Sequence, residues 1–155
     1  MTPSTVTHDT FVIERTYDAS VANVFRAWAD PERKARWFAG SLEALGSSYQ
    51  LDFRVGGREV NRGGPPGGPV WTYTAEFRDI VVNERIVCTT EMLADSTRTS
   101  LTVATAEFHA SGDTTRLVFT EQGTYLDGHE EPAQREHGTL LLLDSLAASL
   151  VASHL

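Results

Sequence analysis

Glu121 carries the most chemistry in this sequence. It closes the run Leu117-Val118-Phe119-Thr120-Glu121, whose alternate positions hold Leu, Phe and then a carboxylate. On a strand alternate side chains share a face, so Glu121 falls on the apolar side. Leaving a bare carboxylate there costs several kcal/mol in rough terms, so the group must be solvated at a rim, paired or protonated. Arg58 and Arg54 are the cations the sequence offers for a rim pair. An inward carboxylate also has two functional uses. It accepts a hydrogen bond from a ligand, or acts as a general base where desolvation raises its pKa. Tyr73 shares its strand face with Ala75 and Phe77. Glu121, Tyr73 and Arg58 are therefore the candidates for orienting a bound molecule.

Other chemistries lack their spacing. The five histidines form no HExxH and no Cys-His pairing, and His109 and His154 have no sequence partner. His129, Glu130 and His137 are close enough in sequence to meet before the last helix, but a metal site is not expected from them. Ser145 follows Asp144 without the GxSxG turn of a nucleophile. Cys88, the single cysteine, reads as a small buried hydrophobe and cannot close an internal disulfide, so nothing requires an oxidising compartment. Gly56-Gly57 and Gly63-Gly64 sit in hairpins and do not open a helix, so no phosphate cradle is expected. No cofactor is expected.

The 155 residues, 41% hydrophobic and 22% charged, suit one globular domain over 1–155, with 1–9 a flexible N-terminus. A net charge of −8 speaks against nucleic acid, whose phosphates need a basic surface, and against an anionic membrane. The longest apolar run, Leu140 to Leu143, is far short of a span, and residues 1–9 lack a signal pattern. The expected compartment is the cytoplasm.

Several elements must position these side chains. Thr10 to Tyr17 reads as a strand, and Ser20 as the N-cap of a helix bearing Val21, Val24, Phe25 and Trp28. Asp30-Pro31 ends that helix and opens a second one, which stops around Trp37-Phe38, before Gly40. Gly56-Gly57 joins Tyr49–Val55 to Arg58–Arg62 as a hairpin, and the glycine- and proline-rich 63–69 reads as a loop. Strands follow at Val70–Ile80, Arg85–Met92, Leu101–His109 and Thr115–Gln122. From Pro132 to Ser153 the period becomes helical, with Thr139, Leu142, Leu143, Leu146 and Leu150 on one stripe. The class is α+β, with helices on one face of an antiparallel sheet.

This order resembles the START-related (SRPBCC) superfamily. Within it the chain is similar to the branch named for homologues of the activator of the ninety-kilodalton heat-shock protein ATPase. The matching stretches are Tyr17-Asp18-Ala19-Ser20, Val24-Phe25-Arg26-Ala27-Trp28, Asp30-Pro31-Glu32 with Trp37, and Arg54-Val55-Gly56-Gly57-Arg58. Asn83-Glu84-Arg85-Ile86-Val87, Thr115 through Glu121 and Gly138 through Leu150 complete the match over roughly residues 11–151. Two positions depart from the family pattern. Ser20 stands where proline is common, and Thr139 stands where a tryptophan often follows the helix glycine, leaving a smaller side chain toward the sheet.

The resemblance implies a helix-grip fold: about seven antiparallel strands wrapped around a long C-terminal helix, with two short helices after the first strand. It also implies a cavity between sheet and helix. Lining residues are then expected to be Trp37 and Phe38 at the closed end, with Arg58, Tyr73, Ala75, Cys88, Thr90, Ala104, Phe119 and Glu121 from the sheet. Thr139, Leu142, Leu143 and Leu146 are expected from the helix. The expected function is binding of a small apolar or aromatic molecule, lipid- or polyketide-like. A cyclase or dehydratase using the same pocket is the alternative, and a co-chaperone-like interaction module a further one. Besides the ligand, the partners considered are a chaperone or a second copy of the chain; membrane insertion is not expected.

Overall fold

Alternating strands become one seven-stranded antiparallel sheet because each has a face to bury and a helix to bury it against. The computed structural model describes residues 3–39 and 48–152. The elements run β1 (Val6–Tyr17), α1 (Val21–Ala29), α2 (Pro31–Phe38), β2 (Ser48–Leu51), β3 (Arg58–Gly63), β4 (Trp71–Val81) and β5 (Arg85–Ala94). β6 (Thr97–Ser111), β7 (Thr114–Leu126) and α3 (Pro132–Ala152) complete them. Strand order is β1-β7-β6-β5-β4-β3-β2, so the first strand closes against the last. The expected helix-grip arrangement is the one observed. Gly40, Ser153 and His154, which the sequence reading used, lie outside the described residues.

Several boundaries differ from expectation: β6 begins at Thr97 and not Leu101, and β7 runs to Leu126 and not Gln122. Residues 6–9, expected to be flexible, are strand: Val6 to Asp9 pair with Leu126 to Gly123. The Thr5 amide also donates to Asp127 Oδ1 at 2.9 Å. The strand before the Gly56-Gly57 hairpin ends at Leu51 and not at Val55, because 52–57 fold into the turn. Gly57 N donates to Arg54 O at 2.8 Å. Gly56 has φ +86°, and a Cβ on Gly57 would stand 2.1 Å from Asp52 O. Neither position tolerates a larger residue without rearrangement.

Ser20 caps α1 as expected, its hydroxyl accepting from Asn23 N at 3.3 Å. Asp30 occupies the cap position of α2 but makes no side-chain cap bond; its carboxylate lies 3.9 Å from Arg33 Nε. Along α3, Leu143, Leu146 and Leu150 are buried in one cluster with Phe11, Phe108 and Leu117 of the sheet. Tyr17 donates its hydroxyl to Leu143 O at 3.1 Å, tying β1 to the middle of the helix.

α2 is held by an ion pair the sequence reading missed. Lys34 is 3% exposed and Glu59 of β3 is 1% exposed. Lys34 Nζ donates to Glu59 Oε1 at 3.2 Å and lies 3.0 Å from Oε2. Tyr49 donates to Glu59 Oε2 at 2.5 Å. The ammonium also sits over the rings of Phe38, Trp28 and Trp37, at 4.3, 4.9 and 5.2 Å from their centroids. Two buried charges survive desolvation only when each is this fully compensated. Glu59→Gln leaves a buried ammonium without its anion and should lower unfolding stability by roughly 3–5 kcal/mol. Adding Lys34→Met should recover most of that loss in urea unfolding. A double variant as unstable as the single one would contradict the pair's role.

Candidate functional site

The space between the sheet and the N-terminal half of α3 is not filled. A cavity of about 440 Å³ lies there, within the range of small-molecule sites. Trp28, Trp37 and Phe38 form its helical end. They meet edge to face, Trp28 on Trp37 at 4.9 Å and Trp37 on Phe38 at 5.6 Å between centroids. Trp37 Nε1 donates to Ala27 O at 2.9 Å, which fixes that corner. The sheet contributes Tyr73, Cys88, Met92, Ala104, Phe119 and Glu121, with Asn61 and Trp71 at its side. α3 contributes Gly138, Thr139, Leu142 and Leu143. The open end carries His129, Glu130, Glu131, Gln134 and Arg135, of which His129, Glu131 and Gln134 are exposed.

The cavity exists because its walls are small where they face each other. Ala104 and Cys88 pair across β5 and β6, and Gly138 on α3 has no atom within 4 Å of where a Cβ would stand. Thr139 turns its hydroxyl back to Arg135 O at 3.0 Å instead of projecting it. Half-burial of Thr139 and Leu142 on the buried stripe has the same cause.

Of the expected lining residues, Trp37, Phe38, Tyr73, Cys88, Ala104, Phe119, Glu121, Thr139, Leu142 and Leu143 lie together on the cavity wall. Four do not. Ala75 and Leu146 are fully buried in the packed core. Thr90 is buried off the cavity lining, its hydroxyl sharing a short hydrogen bond with that of Thr102. Arg58 is exposed and, with Arg54, borders a separate groove of about 380 Å³ at the β2–β3 turn. The reason is register: in β3 it is Glu59 that faces inward, so its neighbour Arg58 faces out. Arg54 pairs with Asp52 instead, at 2.9 Å.

Glu121 is therefore not a rim carboxylate paired with Arg58 or Arg54. It is 4% exposed, and its cation is Arg135 of α3, with Nε 3.4 Å from Oε2. That contact has ion-pair range without hydrogen-bond geometry, and among the described residues Oε2 has no hydrogen-bond partner. Oε1 accepts one long bond from Thr102 Oγ1 at 3.5 Å. Arg135 is more firmly engaged elsewhere. Its Nη1 donates to Glu130 Oε1 at 2.7 Å, and the other Glu130 oxygen accepts from Thr99 and Ser100 hydroxyls. Trp28 Nε1 is also buried without an acceptor among the described residues.

Burial pushes the Glu121 carboxyl above its ordinary value; Arg135 opposes the rise and Glu130 adds to it. Burial likewise lifts the Tyr73 phenol well above its usual range, reinforced by Cys88, Glu59 and Glu121. It pushes the Cys88 thiol up to about 12, so that the group is a neutral wall element and not a nucleophile. Among the described residues no group of three or more His, Cys, Asp or Glu side chains is placed to hold a metal.

Residues 18–150 match the model of the activator of Hsp90 ATPase homolog 1-like protein family. The chain belongs to this family. A protein of known structure from Rhizobium leguminosarum is 42% identical, covering 97% of this chain and 99% of that one at a TM-score of 0.92. The Mll3558 protein from Rhizobium loti is 43% identical over 94% of this chain and 99% of its own, at 0.86. A protein from the dynemicin biosynthetic locus shares the fold at 19% identity and 0.66, covering 94% of this chain and 48% of its own. No curated protein matches. The family's fold is compatible with ligand binding. No helix among the described residues is long and apolar enough to cross a membrane.

The direction of the Glu121 shift has a consequence for stability. A carboxyl whose folded pKa lies above its unfolded one holds its proton more tightly in the folded chain. Its favourable contribution is present below the unfolded value, near 4.5, and is lost as pH rises through the folded value. Glu121→Gln removes that loss. Urea unfolding between about pH 4 and about pH 7 should show the Gln variant gaining on the wild type as pH rises. A constant difference across that window would contradict a raised pKa.

Proposed function

We propose that this chain binds a small, largely apolar molecule in the cavity between the sheet and α3. The observation that carries the reading is the open space itself. Protein interiors are packed to crystal-like density, and a void of about 440 Å³ forfeits contacts that a folded chain ordinarily makes. An apolar occupant restores them. Aromatic walls at Trp28, Trp37, Phe38, Tyr73 and Phe119 offer ring faces and edges for a planar body. Affinity arises from buried apolar area, at about 25 cal/mol per Å² before the costs of ordering.

Acid–base catalysis by Glu121 on a molecule in the same cavity is the second reading. The observation in its favour is a buried carboxyl with a raised pKa facing a phenol-bearing wall. Binding is preferred because the walls are mostly apolar and Glu121 already has a cation at 3.4 Å.

Filling the space from either wall tests the reading. Ala104→Trp from β6, or Thr139→Trp from α3, places an indole in the cavity. Titration with the neutral fluorophore N-phenyl-1-naphthylamine should give saturable enhancement with the wild type. Each variant should bind at least about tenfold more weakly, a loss of about 1.4 kcal/mol, with unchanged far-UV circular dichroism. Normal binding by both folded variants would place the ligand elsewhere.

A further inference from the structure

The polar end of the cavity narrows what the occupant is, and this step rests on the binding reading above. Two carboxylates, Glu121 and Glu130, face one guanidinium, Arg135. Arg135 is the one Lys or Arg among the described residues lining the cavity, since Lys34 is committed to Glu59. The two carboxylates are not equally satisfied. Glu130 accepts from Arg135, Thr99 and Ser100. Among the described residues Glu121 accepts only the 3.5 Å bond from Thr102, and its Oε2, at 4% residue exposure, has no hydrogen-bond partner there. Buried acceptors in folded proteins are nearly always paired, and one left alone costs free energy.

We propose that Glu121 Oε2 is the acceptor for a hydroxyl on a neutral, aromatic or polycyclic ligand, and that the cavity rejects carboxylates and phosphates. An anion entering here meets three carboxylates, Glu121, Glu130 and the exposed Glu131, for one guanidinium, whose firmest hydrogen bond already goes to Glu130 at 2.7 Å. An ammonium is disfavoured for another reason. It gains the Glu121 charge but surrenders its hydration to a mostly apolar chamber, a cost that one carboxylate already within 3.4 Å of Arg135 does not repay. A neutral hydroxyl brings the missing donor at little desolvation cost, while its ring body meets the aromatic wall. The requirement is sharper than apolarity, because it discriminates between molecules of the same skeleton.

Three naphthalenes with one skeleton test the proposal by calorimetry near pH 7: 2-naphthol, 2-naphthoate and 2-naphthylmethylammonium. The naphthol should bind at least about tenfold tighter than the naphthoate and tighter than the ammonium compound. In Glu121→Gln the gap between naphthol and naphthoate should shrink severalfold, because the buried pair that remains, Arg135 and Glu130, is neutral and Glu131 is exposed. Naphthoate or ammonium binding as tightly as naphthol to the wild type, a comparison that needs no variant, overturns the proposal. So does an undiminished gap in folded Glu121→Gln. If naphthol and naphthoate bind equally and both are lost in Ala104→Trp, the cavity reading stands and the hydroxyl assignment falls. If none of the three binds, both fall.

Discussion

α3 is held against the sheet in two different ways along its length, and the cavity follows from the difference. Its C-terminal half is packed, with Leu143, Leu146 and Leu150 buried in the common core. Its N-terminal half is held by charge, through Arg135 to Glu121 and Glu130. Apolar packing draws surfaces into contact, whereas an ion pair between long side chains bridges a gap. Between these two attachments lie Gly138 and Thr139, too small to reach the sheet. Opposite them is Ala104, equally small. The void is thus a consequence of side-chain size at a few positions on a helix whose ends are both fixed.

The aromatic corner closes the other end on the same logic. Trp28, Trp37 and Phe38 are grouped around the Lys34 ammonium, which Glu59 neutralises, Tyr49 in turn donating to Glu59. The pair ties α2 to β3, and Asn61 adds a bond from its Nδ2 to Phe38 O at 3.5 Å. Because that corner is rigid, the rings facing the cavity are preorganised, and a ligand does not have to order them on entry.

Most of the fold was legible because apolar alternation in β4, β5 and β7 fixes which side chains face α3. That parity places Tyr73, Cys88, Phe119 and Glu121 on the inner face. β3 gave no such signal. In Arg58-Glu59-Val60-Asn61-Arg62 the one apolar residue is Val60, so parity cannot be read and the expectation that Arg58 faces the cavity fails. The inward residue is Glu59, whose burial makes sense only with Lys34, 25 positions away. Arg135 escaped notice for the same reason. A lone arginine on an amphipathic helix looks solvated until the carboxylate opposite it is known. Ala75 and Leu146 share the correct face with the cavity residues, but a period of two or 3.6 cannot tell packed positions from open ones along one stripe. The residues hardest to read are the charged groups whose burial depends on a distant partner.

Chemical-shift mapping with N-phenyl-1-naphthylamine would locate the ligand on the fold. On a chain labelled in its methyl groups and amides, shifts should concentrate at Ala104, Thr139, Leu142 and Leu143, with the indole protons of Trp28 and Trp37 moving as well. The outward-facing Val12 and Val103, 57% and 38% exposed, should stay still. Shifts confined to that outer face, with the Ala104 and Leu142 methyls unmoved at saturation, would contradict a ligand held between sheet and helix.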